Sequence, residues 1–103
     1  MRTPNGSIYL ITHVPTKRHY VGQTWHAVKK RWEGHLYAAA GKGPSTNMHI
    51  ARAIRQHGVT EFTIRTLWTG RCDQCGLDDL ERTAIVLYGA FGNGGFNSTR
   101  GGH

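Results

Sequence analysis

Long apolar runs are missing from this sequence. No stretch approaches the roughly 20 apolar residues that a membrane span needs, and Met1-Arg2-Thr3-Pro4-Asn5-Gly6 leads into no apolar signal core. The chain is therefore expected to have no membrane partner. Cysteine is nearly absent, with only Cys72 and Cys75. Two thiols cannot make a disulfide framework, and without an export signal they point to a reducing compartment, so the expected location is the cytoplasm. Acid is scarce as well, at 6 Asp+Glu against 13 Lys+Arg. With 103 residues, 38% of them apolar, the chain suits one small domain with a modest core, expected to occupy residues 1–103. No internal repeat and no dividing linker interrupts it.

What is present is positive charge, unevenly spread. The net charge is +7 and the isoelectric point about 10.0. Through Arg71 there are 11 Lys+Arg against Glu33 and Glu61, a balance of +9; from Cys72 onward Arg82 and Arg100 face Asp73, Asp78, Asp79 and Glu81, a balance of −2. A basic body with a local acidic patch fits a polyanion partner held near a cation site. Charge alone also fits a protein merely kept soluble, so the motifs have to decide.

The stretch from Ser7 to His35 organises the chain. Ile8, Tyr9, Leu10, Ile11 and Thr12 are β-branched, aromatic or aliphatic and read as a strand. Pro15-Thr16-Lys17-Arg18 reads as a turn, and His19 to Thr24 as a second strand. Thr24 can cap a helix over Ala27 to Ala40, whose apolar stripe is Val28, Trp32, Leu36 and Ala39. Arg31 and His35, four apart, share one face of it. A loop over Gly41-Lys42-Gly43-Pro44 precedes a second helix, capped by Ser45, Thr46 or Asn47 and running to about Gln56. His57-Gly58 ends it. Phe62 to Trp68 alternates as a third strand, Gly70 to Gly76 reads as a loop, and Leu77 to Tyr88 as a third helix stopped by Gly89. Asp78 and Asp79 suit the N-terminal end of that helix. The order β-β-α-α-β-α predicts a small α/β sandwich, a three-stranded antiparallel sheet flanked by helices.

Ser7-Ile8-Tyr9, then Tyr20-Val21-Gly22, then Arg31 and His35 on the next helix, Glu81 on a later helix and Asn97 near the end resemble the GIY-YIG endonuclease domain. The resemblance spans about Ser7 to Thr99. Three positions depart from the usual pattern: Ser7 stands where Gly is usual, Val21 where Ile is usual, and Phe96 where Tyr is common. The resemblance implies a DNA endonuclease or nickase of this α/β fold, leaving a 5′-phosphate and a 3′-hydroxyl. One such site cuts one strand, so a double-strand break requires a transient homodimer, a second binding event or a flip.

Phosphodiester hydrolysis needs a water and a group to take its proton, positive charge on the phosphorane, and usually a metal near the leaving oxygen. The candidates are Tyr9, Tyr20, Arg31, His35, Glu81 and Asn97. An odd register sum would put Tyr9 and Tyr20 on one sheet face, where one phenol could accept the water's proton and the other position phosphate. A phenol of ordinary pKa, about 10, is a poor base unless cations such as Lys17, His19 or Arg31 lower it. A strand tyrosine is otherwise a half-buried aromatic. Arg31 offers a fork for two phosphate oxygens, or a mere surface cation beside Lys29 and Lys30. His35 can relay a proton or bond phosphate; Asn97 can bond phosphate, brace Tyr9 or simply form a turn.

Glu81 falls in the middle of the stripe Leu77, Leu80, Ala84, Ile85 and Tyr88. A carboxylate there needs a cation or a donor. One carboxylate with phosphate oxygens and waters suits Mg²⁺, or Mn²⁺, and an arginine partner is the plainer alternative. Lys17, Arg18, Lys29, Lys30, Arg52 and Arg55 are candidates for DNA phosphate, or form solvated basic faces. Cys72-Asp73-Gln74-Cys75 has zinc-knuckle spacing without a second pair, so two unliganded loop thiols are the expectation. Two other readings stay open: an inactive basic nucleic-acid-binding module of the same fold, and a small Cys/His zinc adaptor.

Overall fold

The computed structural model describes residues 5–42, 48–92 and 95–97. Its elements run β1 (Asn5–His13), β2 (Arg18–Thr24), α1 (Val28–Ala39), α2 (Met48–His57), β3 (Phe62–Arg71) and α3 (Gln74–Tyr88). The expected order β-β-α-α-β-α is the observed one. The three strands form one antiparallel sheet in the order β2-β1-β3. The hairpin places β2 beside β1, and β3 returns along the other side of β1, so β1 is the central strand.

Alternation along β1 sorts the core onto two faces. Tyr9 and Ile11 face α1 and α2, in a cluster with Tyr20, Ile50, Ile54, Phe62 and Phe96. Ile8 and Leu10 face α3, with Val21, Leu77, Ala84 and Ile85. Because both faces of β1 are covered, its burial is nearly continuous from Gly6 to Ile11. A shift in the β1–β3 register between Ile8 and Tyr9 pairs Ile8 with Trp68 but Tyr9 with Thr66. Leu67 is the extra residue, which explains how Leu67 and Trp68 both pack against the α3-side cluster.

Several boundaries differ from those read in the sequence. Asn5 and Gly6 belong to β1 instead of a loose lead-in, pairing with Arg71 and Gly70. That pairing carries β3 through Gly70 and Arg71, which read as loop. Helix α3 starts at Gln74, not Leu77, because the Asp73 side chain caps it by accepting from the Gly76 N–H at 2.8 Å. Asp78 and Asp79 therefore lie beyond its first turn. Cys75 is on this helix and not in a loop. Thr24 does not cap α1; its Oγ1 accepts from the His26 N–H at 3.0 Å, and Ala27 is the uncapped N-cap. The proposed caps of α2, Ser45, Thr46 and Asn47, lie outside the described residues, as do Gly43 and Pro44.

Gly89 ends α3 in the left-handed region, φ 59° and ψ 38°. The chain then returns so that Phe96 N–H donates to the His19 carbonyl and Asn97 N–H to the Ala90 carbonyl, both at 2.9 Å. Gly95 passes so close to the Ala90 backbone that a Cβ would collide with it. This return lays residues 95–97 along the outer edge of β2.

Candidate active site

The register sets Ile11 opposite Tyr20 and Tyr9 opposite Gly22. Tyr9 and Tyr20 are thus diagonal neighbours on the same face, with ring centroids 6.3 Å apart. Gly22 lies directly beneath the Tyr9 ring. A Cβ there would stand 2.8 Å from Tyr9 Cε1 and closer still to Cζ and the hydroxyl oxygen. The glycine of Tyr20-Val21-Gly22 therefore makes room for the tyrosine on the neighbouring strand.

Helix α1 supplies the next two groups. Its stripe of Val28, Trp32 and Leu36 packs on the Tyr9-side cluster, which turns His35 inward. The Tyr9 hydroxyl lies 2.8 Å from His35 Nε2, and the contact is fully buried. The His35 ring also meets Tyr20 edge-on, with centroids 5.5 Å apart. Arg31, one turn earlier, is half-buried. Its guanidinium is close enough to act on the ionisation of Tyr9, Tyr20 and His35.

Burial dominates the proton affinities of this group. It pushes the Tyr9 phenol well above its ordinary value, with the neighbouring Tyr20 adding to the effect and Arg31 opposing it. Tyr20 is pushed up to about 12 by burial; Arg31 counters this and the Glu81 carboxylate reinforces it. Burial, helped by the Arg31 charge, lowers His35 to about 4. At neutral pH the resting site thus holds two protonated phenols and a neutral imidazole beside one fixed cation. Arg31 opposes the rise in both phenols, but burial outweighs it, so the condition under which a phenol would act as a base by itself is not met in the resting site.

Glu81 comes from the opposite face of the sheet. Helix α3 packs beside β2, and the Leu77, Ala84 and Ile85 stripe buries Glu81 with it, at 5% exposure. Its charge reaches Tyr20 across the edge of β2. Asn97 sits at that same edge. Its Oδ1 accepts from the Val21 N–H and its Nδ2 donates to the Val21 carbonyl, both at 2.8 Å. Its amide thus holds the residue between Tyr20 and Gly22, standing in for a missing neighbouring strand.

The candidate phosphate-binding cations are dispersed. Lys17, Lys29, Lys30 and Arg52 are exposed. Arg18 lies over the Phe96 ring, 4.8 Å from its centroid, and donates to the Gly95 carbonyl at 3.1 Å. Arg55 donates from Nε to the Ala39 carbonyl at 2.7 Å, tying α2 to the end of α1. Cys72 and Cys75 are free thiols, and among the described residues neither joins a group of three metal-ligating side chains. No helix among them is long and apolar enough to cross a membrane.

Two tyrosines, an arginine and a histidine, drawn from β1, β2 and α1, thus meet on one face of the sheet, and the Glu81 carboxylate of α3 is near enough to act on Tyr20. A sequence profile described as the GIY-YIG catalytic domain matches residues 5–93. The chain belongs to the GIY-YIG family. Solved structures agree on the fold. The catalytic domain of the homing endonuclease I-TevI superposes with a TM-score of 0.77 at 21% identity, over 91% of this chain and 98% of that one. A glutamate-to-alanine variant of the I-TevI catalytic domain gives 0.78 at 20% identity, over 93% and 95%. No curated protein matches the chain by sequence. Within this GIY-YIG domain, the name-giving tripeptides are the segments that meet at the Tyr9–Gly22 contact.

Proposed function

We propose that the chain is a metal-dependent DNA endonuclease or nickase in which Tyr9 and His35 together take the proton of the attacking water. The observation that carries this reading is the buried 2.8 Å contact between the Tyr9 hydroxyl and His35 Nε2, with Arg31 alongside. Tyr9 alone is a poor base, since burial holds its proton on. A concerted relay removes that obstacle: Tyr9 passes its proton to the neutral His35 as it receives one from water. Arg31 binds the scissile phosphate, and the bound anion offsets the guanidinium charge that now depresses His35. Substrate binding thereby makes His35 a better acceptor. Water oxygen then bonds to phosphorus, the bond to the 3′-oxygen breaks, and that oxygen takes a proton from solvent water. The products carry a 5′-phosphate and a 3′-hydroxyl.

Glu81 fits a hard divalent ion in its donor chemistry: a buried carboxylate oxygen near the phenols, of the kind that holds Mg²⁺ together with phosphate oxygens and waters. A Mg²⁺ or Mn²⁺ ion bound there would supply positive charge for the leaving oxygen. The exposed Lys17, Lys29, Lys30 and Arg52 supply the long-range attraction for DNA. An inactive binding module has no use for a buried Tyr–His pair beside an arginine, and this favours the enzyme.

Tyr9→Phe tests the relay. It removes only the hydroxyl, and nicking of supercoiled plasmid should fall by about 10²–10⁴-fold, the usual worth of a general base. Wild-type nicking by a folded Tyr9→Phe variant would exclude Tyr9 from proton transfer.

A further inference from the structure

We propose that His13, His57 and Glu61 form a second metal site, separate from the catalytic centre, that binds a zinc-class transition ion and fastens the end of β1 to the connection between α2 and β3. His13 lies four residues along β1 from Tyr9, roughly 13 Å at strand spacing, with the fully buried Ile11 between them. Glu81 is on the other side of the sheet. The site therefore shares no residue with the nuclease centre.

The three side chains are brought together by local structure. His13 ends β1 on the inward face and is only 2% exposed. His57 is the last residue of α2. Gly58 follows with φ 90°, and the chain turns through a short 3-10 helix at Val59–Glu61. That left-handed glycine folds Glu61 back toward His57. Their ligand atoms, with those of His13, all lie within 4.8 Å of one another. His13 Nε2 is 2.7 Å from Glu61 Oε1, and His57 Nδ1 is 3.9 Å from that oxygen.

Ligands about 2.0–2.1 Å from a tetrahedral ion stand about 3.3 Å apart. Reaching that spacing requires the His13–Glu61 pair to open slightly and His57 to move in slightly. Both moving side chains are at the surface, 37% exposed for His57 and 43% for Glu61, so they can move and the ion can enter. His13 is already oriented: its other ring nitrogen, Nδ1, lies 2.7 Å from Thr16 Oγ1. Such a partner on the far nitrogen is the usual support of a metal-bound histidine. Two imidazoles and one carboxylate, with a fourth position open to water, suit Zn²⁺ and disfavour Mg²⁺, which prefers oxygen ligands.

The test is titration of Zn²⁺ into chelator-stripped protein, followed by calorimetry and by melting temperature. One Zn²⁺ per chain is expected, not displaced by excess Mg²⁺, with a rise in Tm on the order of 10 °C when free Zn²⁺ exceeds Kd a hundredfold. His57→Ala and Glu61→Gln, both at surface positions, should each weaken binding by about 100-fold or more; Thr16→Val should weaken it by about 10–100-fold. The paired Cys72→Ser and Cys75→Ser substitutions should leave it intact. Co²⁺ should give the visible bands of a four-coordinate ion in the wild type and lose them in folded His57→Ala. No stoichiometric Zn²⁺, Zn²⁺ that persists in His57→Ala and Glu61→Gln, or Zn²⁺ lost only with the cysteines would each overturn the proposal.

Discussion

Gly22→Ala is a one-carbon change with two separable consequences. The added Cβ would stand 2.8 Å from Tyr9 Cε1, where ordinary contact begins at 3.4 Å, and nearer still to Cζ and the hydroxyl oxygen. The tyrosine cannot swing away freely. Its ring is 1% exposed, packed in the core beneath α1, and its hydroxyl is engaged by His35. Either the strands part or the ring shifts, and overpacking of this kind typically costs about 1–3 kcal/mol. For a domain of this size each kcal/mol lowers Tm by roughly 4–8 °C. Function should suffer more than stability. A ring displaced by about 1 Å no longer offers its oxygen to both water and His35, and such misplacement can cost about 10²-fold in rate. Melting temperature and plasmid nicking on one preparation, assayed well below Tm, separate the two effects. A Gly22→Ala protein with unchanged Tm and unchanged rate would refute the close approach of Tyr9 to β2 and the account of the site built on it.

Two further outcomes follow from the electrostatics. Arg31→Ala should cut nicking by about 10²-fold or more, and Arg31→Lys should restore little, because an ammonium lacks the fork; near-normal rates with Lys would remove the two-oxygen contact. His35 is depressed from 6.5 to about 4 in the fold, so its neutral form stabilises the native state. That stability is fully present above pH 6.5, lost as pH falls from 6.5 through about 4, and worth about 3 kcal/mol. Urea unfolding of wild type and His35→Gln should show a steeper slope over that range in the wild type, since His19, also lowered by burial and by Arg65, remains in both; equal slopes would contradict a buried, neutral His35.

The fold was legible in the sequence because its signals are local. Alternation in Ile8 to Thr12 and Phe62 to Trp68, the four-residue spacing of Val28, Trp32 and Leu36, and Gly89 after α3 each describe one element by itself. Boundaries failed where a long-range partner decides them. Gly70 and Arg71 read as loop, yet they are strand because Asn5 and Gly6 pair with them. The start of α3 was hidden by a choice among nearby acids: Asp73 caps, while Asp78 and Asp79 only looked well placed. In the site, the residue types were readable but their divisions of labour were not. Nothing in the spacing says that the Tyr9 hydroxyl hydrogen-bonds His35 while the Tyr20 ring meets it edge-on, or that Asn97 grips the Val21 backbone. The His13, His57 and Glu61 group left only a faint trace, His57 and Glu61 four apart across Gly58, and its third member sits 44 residues earlier in the chain.

The proposed activity is hydrolysis of DNA by this chain with a divalent ion near Glu81. Nicking of supercoiled plasmid, measured in Mg²⁺ and in excess chelator for wild type and Glu81→Gln, tests it most directly. The wild type should nick in Mg²⁺ and not in chelator, and Glu81→Gln should lose orders of magnitude with DNA binding retained, since losing the ion's support of the leaving oxygen is worth about several kcal/mol. Wild-type nicking that persists in chelator, or a Glu81→Gln variant that nicks at the wild-type rate, would contradict it.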